Sequence, residues 1–139
     1  MSLIESDVGM SEGKIKEVMI KSVHTIGPSE KIALARLKML RYGVGGLPVI
    51  HEDNTLVGML TLRDISLPGM NVGNLQVQDL MTKKNLITGT ESTKLVEIID
   101  MMSKTGIQRI PIVDTSGKLS GLMTQSVIIR AFRNLFGDK

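Results

Sequence analysis

The chain has 139 residues, a net charge of +3, 42% apolar and 22% charged residues, which is the balance of an ordinary globular domain with length enough for a core. It has no cysteine, which excludes disulfides, thiolate metal sites and cysteine nucleophiles. Its aromatic residues are Tyr42, Phe132 and Phe136, and it has ten methionines, so the core has to be aliphatic and adaptable.

The opening stretch "MSLIESDVGMSEGK" has no signal-peptide core, and no apolar run approaches a membrane span. The expectation is a soluble, cytoplasmic protein with no membrane contact and an N-terminal segment over 1–15. The short stretch "SVHTI" is β-leaning. A helix follows it, with Ser29 as the expected N-cap and an apolar stripe of Ile32, Leu34, Leu37 and Leu40. Gly43 sits where the helix end needs positive φ. "LPVI" reads as a buried strand whose proline suits a strand start or edge. "HEDNT" is a turn, "LVGML" a second strand, and Thr61 opens a second helix. "SLPGMNVGNLQV" reads as a linker. The order then repeats. "NLITG" is followed by a helix with Ser92 as the expected cap and a stripe of Leu95, Ile98, Ile99 and Met102. Gly106 ends that helix. "IPIV", the turn "DTSGK", the strand "LSGLM" and a helix from Thr124 complete the second copy. The expected class is α/β, with β-α-β-β-α written twice, over residues 16–70 and 71–139.

One offset binds the two copies. Thr61 and Thr124 are 124 − 61 = 63 positions apart, and the same offset pairs Thr25 with Thr88, Ser29 with Ser92, Lys31 with Lys94, Met39 with Met102, Gly43 with Gly106, Pro48 with Pro111, Leu56 with Leu119, and Gly58 with Gly121. Met19 and Met81 are 81 − 19 = 62 apart, so the second copy carries one inserted residue just after Met81. The phrases "GMLTLRDI" and "GLMTQSVI" keep their threonine, but Asp64 in the first becomes Val127 in the second. Thr-x-x-Asp is a helix capping box, and its acid also suits the positive end of the helix dipole. A carboxylate so placed can equally accept from two adjacent ribose hydroxyls. Thr124 can still cap its helix, whereas Val127 cannot accept a hydroxyl.

Taken together, "EVM" and "DLMT", "GVGGLPVI" and "GIQRIPIVD", and the two threonine phrases resemble a pair of cystathionine-β-synthase-type (CBS) domains over about residues 16–133. The resemblance implies two α/β repeats related by a pseudo-two-fold axis and packed through their sheets. It also implies clefts that take adenosine-containing ligands, and self-association as a homodimer. On that resemblance Asp64 holds the ribose hydroxyls and Thr61 sits near the α-phosphate. Leu47 and Pro48 border the base with Thr25 or His24. Arg109, whose counterpart is Gly46, meets phosphate as a planar fork; the other reading for it is a solvated surface arginine. The site at Thr124 is weak, altered or empty. Lys38 and Arg63 are read as solvated.

His24 and His51 lie far apart, and the carboxylates show no ligand spacing, so no metal site is expected. No nucleophile–base pairing is visible, and no enzyme is expected. The first functional expectation is a stand-alone regulatory module. It requires no cofactor, binds AMP, ADP, ATP or S-adenosylmethionine as a regulatory ligand, and passes its output to a separate effector protein. The alternative is a ligand-free dimerisation or interaction module. Nucleic-acid binding ranks below both: the sequence pI of about 9.3 permits it, but no recognition motif supports it.

Overall fold

The computed structural model describes residues 15–66 and 71–136, with side chains as far as residue 134. Most of the N-terminal segment and residues 67–70 of the linker lie outside the described residues. In chain order the elements are α1 (Ile15–Val18), α2 (Ile32–Tyr42), β1 (Gly46–Ile50), β2 (Leu56–Thr61) and α3 (Leu62–Ser66). Then come α4 (Val77–Leu80), α5 (Leu95–Thr105), β3 (Arg109–Val113), β4 (Leu119–Thr124) and α6 (Gln125–Phe136). The result is a mixed α/β fold with two repeats and two small sheets, β1-β2 and β3-β4.

The compact units do not follow chain order. One contains residues 23–86 with 116–119; the other contains 15–22, 87–115 and 120–136. Residues 15–22, at the start of the first repeat, therefore belong with the second repeat's sheet.

In the unit built on the first repeat, β1 and β2 are antiparallel, with Gly46 opposite Thr61 and Pro48 opposite Met59. Single bridges extend the sheet on both sides, Ile26 parallel to Val49 and Thr82 antiparallel to Met59. This explains how a proline sits in the middle of a strand. Met59 exchanges both of its hydrogen bonds with Thr82, so Pro48 faces a position that asks for no N–H. Ile26, Ile32, Ala35, Met39, Leu47, Val49, Leu60, Ile65, Val72 and Val77 form the core.

Two expectations about α2 are corrected here. The buried residues of the helix are Ile32, Ala35 and Met39, whereas Leu37 is 58% and Leu40 80% exposed, and Leu34 is exposed as well. Both sets have helical spacing, so periodicity cannot choose between them; Ala35 lets the helix lie close to the sheet, and that settles which face turns inward. Nor is Ser29 the cap, a position taken by Lys31 with no side-chain hydrogen bond. The free N–H groups of Ile32 and Ala33 donate instead to the carbonyls of Leu75 and Gly73. A neighbouring segment thus satisfies the helix start that a serine was expected to satisfy. Gly43 ends the helix at φ 65°, where the missing Cβ removes the left-handed penalty.

The other unit repeats the plan. Gly89 bridges Ile112 in parallel and Ile20 bridges Leu122 in antiparallel fashion. Its core includes Ile15, Met19, Leu95, Ile98, Met102, Ile110, Ile112, Met123 and Val127, so the stripe expected on α5 faces inward. Ser92 is also displaced as cap: Lys94 holds that position, and its N–H donates to Glu97 Oε1 at 3.2 Å. The inserted residue falls in the turn between Thr82 and Gly89, where Asn85 takes φ 54°.

Candidate functional site

The site is built from the junction of β2 and α3. The Leu62 N–H donates to the Gly45 carbonyl, which ties the helix start to the glycine-rich entry of β1. Thr61 N–H donates to Asp64 Oδ2 at 2.9 Å and Thr61 Oγ1 donates to the same oxygen at 3.1 Å. Asp64 N–H donates back to Thr61 Oγ1 at 3.3 Å. The capping box is complete, and it holds a half-buried carboxylate at a fixed place. One of the carboxylate oxygens carries these bonds, which leaves acceptor capacity on the other.

At the matching junction of β4 and α6, Gln125 N–H donates to the Gln108 carbonyl and Val127 N–H donates to Thr124 Oγ1 at 3.1 Å. The backbone plan is the same, but the side chain is not: Val127 is only 5% exposed and packs in its unit's core. The lost acid has become core, not an empty place. Arg109 begins β3 beside Gln108. It is half-buried, and desolvation pulls its pKa below the ordinary guanidinium value; the group stays charged at neutral pH. Arg109 and Thr124 belong to one unit, while Thr61, Asp64, Thr25, His24, Leu47 and Pro48 belong to the other.

Leu47 is fully buried, so any contact it makes with a ligand passes through its backbone. Pro48 is buried too, and its carbonyl accepts from Ile26 N–H at 3.1 Å. Two side chains of α2, spaced i and i+4 and so on one face, hold the 23–26 edge. Lys38 Nζ donates to the Thr25 carbonyl at 2.7 Å, and the Tyr42 ring stacks on His24 with centroids 3.8 Å apart and an 11° interplanar angle. Arg41 lies 5.9 Å from the centre of the Tyr42 ring. Lys38 is therefore partly buried and bonded, contrary to the solvated reading. Its role was missed because no sequence pattern marks a lysine that reaches another element's carbonyl.

Among the described residues no group of three or more His, Asp or Glu side chains could hold a metal ion, and no helix is long and apolar enough to cross a membrane.

Two copies of one α/β unit, each with a threonine at its strand–helix junction, define a tandem-repeat module. The chain belongs to the CBS domain family, whose model matches residues 15–67 and 77–134. Among solved structures it is similar to the CBS-pair protein CBSX2 from Arabidopsis thaliana, at 27% identity and TM-score 0.79 over 90% of this chain and 97% of that one. CBSX2 in complex with AMP aligns at 29% identity and TM-score 0.78 over 87% and 96% of the two chains. The CBS domain pair of protein MJ0100, in complex with 5′-methylthioadenosine and S-adenosyl-L-methionine, aligns at 26% identity and TM-score 0.78 over 87% and 96%. Curated relatives include inosine-5′-monophosphate dehydrogenase of Aquifex aeolicus, 35% identical over 117 residues that make 84% of this chain and 24% of the enzyme. The same enzyme of Thermoplasma acidophilum is 37% identical over 114 residues, 81% of this chain and 22% of the enzyme. This chain thus spans about a quarter of the length of those relatives.

Proposed function

We propose that this chain is a regulatory module that binds an adenosine-containing ligand, with AMP, ADP, ATP and S-adenosylmethionine as the candidates. The observation that carries the reading is the half-buried Asp64 carboxylate fixed by Thr61 at a helix start, in a chain similar to CBS pairs crystallised with AMP and with methylthioadenosine and S-adenosylmethionine. Asp64 accepts from the ribose hydroxyls, and Thr61 lies toward the phosphate. Thr25, His24 and Pro48 border the base, and Leu47 contributes backbone alone. Val127 leaves the Thr124 junction without a ribose acceptor, so one ligand binds per chain. The two repeats, 16–70 and 71–139, act together as one non-catalytic module in the cytoplasm, with output to a separate effector.

The exposed Leu34, Leu37 and Leu40 of α2 support self-association as a homodimer, because a contiguous apolar patch of this kind is usually covered. They also keep alive the second reading, a ligand-free interaction module.

A thermal-shift panel of the four ligands tests the proposal. A ligand that binds the native state alone adds about 2.7 kcal/mol at a hundredfold excess over its Kd. No shift with any of the four at millimolar concentration, together with unchanged titration heats, would leave the interaction reading standing in its place.

A further inference from the structure

We infer that the exposed leucines of α2 pair with the same leucines of a second copy of this chain, antiparallel about a two-fold axis at Leu37, so that the first repeat alone holds the dimer. The inference rests on the homodimer reading above and deepens it, since that reading assigns neither the geometry nor the repeat.

Leu34, Leu37 and Leu40 are 39%, 58% and 80% exposed. They follow one another at three-residue steps on the side of α2 away from its buried Ile32, Ala35 and Met39, and so make one stripe along the helix. Leu62 begins α3, which packs against α2, and it is exposed as well. The 63-residue offset carries these four positions onto Glu97, Asp100, Ser103 and Gln125, all polar and all exposed. In the unit built on the second repeat, Ile129 is the one large apolar side chain exposed among the described residues. The same fold is thus made with a polar face in one repeat and an apolar face in the other. Folding does not require these leucines, and a contiguous apolar face of this kind marks an interface.

The stripe is its own complement. Leu34 and Leu40 flank Leu37 at equal distance, so an antiparallel copy sets Leu37 on Leu37 and, twice over, Leu34 on Leu40. The charges agree with that direction. Helix α2 carries Arg36, Lys38 and Arg41 and no acid, so a parallel copy would bring Arg41 to Arg41. An antiparallel copy separates them and turns each Arg41 toward the end where the other helix begins, after the exposed Glu30, so that opposite charges meet at the rim. Pairing α2 with the α5 of a second copy fails, because it presses Glu97 and Asp100 onto leucine and strips them of water.

Light scattering of the full chain across a dilution series, read beside two variants, tests the inference. Leu37→Glu sets two carboxylates face to face at the axis and should weaken the dimer at least about a hundredfold, to a monomer at tens of micromolar. Asp100→Arg changes the matching position of the second repeat and should leave the dimer mass in place. Leu37→Cys supplies a readout that does not depend on mass. The chain has no cysteine of its own, so a covalent dimer on oxidation with copper–phenanthroline places two copies of position 37 together, whereas Asp100→Cys should stay uncrosslinked. A Leu37→Glu variant that keeps the parent's mass overturns the inference and leaves the homodimer standing by another face, as does crosslinking through Asp100→Cys as complete as through Leu37→Cys. A parent that is monomeric throughout the series sinks the homodimer reading itself.

Discussion

Ile15 is the first described residue of the chain and opens the stretch matched to the first repeat, yet its side chain is fully buried in the core of the unit that holds the second. Ile15→Ala tests that assignment. The substitution removes about three methyl-sized groups at ~0.8 kcal/mol each, or about 2.4 kcal/mol of transfer free energy. A cavity term is added wherever the neighbours fail to close in, which carries the expected cost toward about 4 kcal/mol. Collapse is limited here, because α1 is one turn long and is pinned just downstream. Ile20 and Leu122 exchange backbone hydrogen bonds at 2.9 and 3.0 Å, and the Met19 side chain rests on Gly121, where a Cβ would have been. The assay is urea unfolding followed by far-UV circular dichroism, read with amide exchange at Ile20 and Leu122. These amides should lose protection in the variant before those of Met59 and Thr82, the matching bridge of the other unit. A loss of less than about 0.5 kcal/mol, the size of an exposed surface change, would show that Ile15 has no core to leave. Equal loss of protection at both bridges would show that the two units do not unfold separately.

Further outcomes follow from the same contacts. Gly58→Ala places a Cβ 2.7 Å from Met81 Sδ and 2.9 Å from the Thr82 carbonyl, so it should cost about 1–3 kcal/mol by overpacking, measured as a shift in urea midpoint. Asp64→Ala leaves the Thr61 N–H without its acceptor and should cost about 1 kcal/mol in unfolding experiments. It should also weaken an adenosyl ligand by roughly 1.5–3 kcal/mol by calorimetry, while Asp64→Asn retains part of both; unchanged binding in Asp64→Ala would reduce the acid to a cap. Val127→Asp restores the acid of the first phrase but displaces a buried apolar side chain, and should destabilise by at least about 1 kcal/mol even if its carboxylate reaches Thr124. Asp53 has its pKa lowered by hydrogen bonding from Thr55, whose N–H lies 3.0 Å from Oδ1. Its contribution to the turn is therefore present above the unfolded carboxylate pKa and lost as pH falls through the lower folded value; an NMR titration that places Asp53 at or above 3.8 would contradict the bond.

The duplication, the β-α-β-β-α order, both left-handed helix ends and the asymmetry of Asp64 and Val127 were legible in the residues alone. Each rests on a local or periodic rule. Gly43 and Gly106 mark positive φ because glycine tolerates it, and the 63-residue offset survives whatever the chain does in space. The capping role of Thr61 and Asp64 was legible for the same reason: its partners lie three residues apart. What only the tertiary structure decided involves partners far apart in sequence. The choice of Ile32, Ala35 and Met39 as the inner face of α2 depends on what the sheet presents to the helix, and two leucine-compatible faces look alike in one dimension. Ser29 lost its cap because Leu75 and Gly73 bring carbonyls to the same N–H groups. Lys38 found Thr25, and Tyr42 found His24, across a strand entry that no spacing rule connects. Ile15 and Met19 joined the second repeat's core because a sheet edge is completed by whichever segment reaches it, and hydrogen-bonding edges do not record the order in which the chain was written.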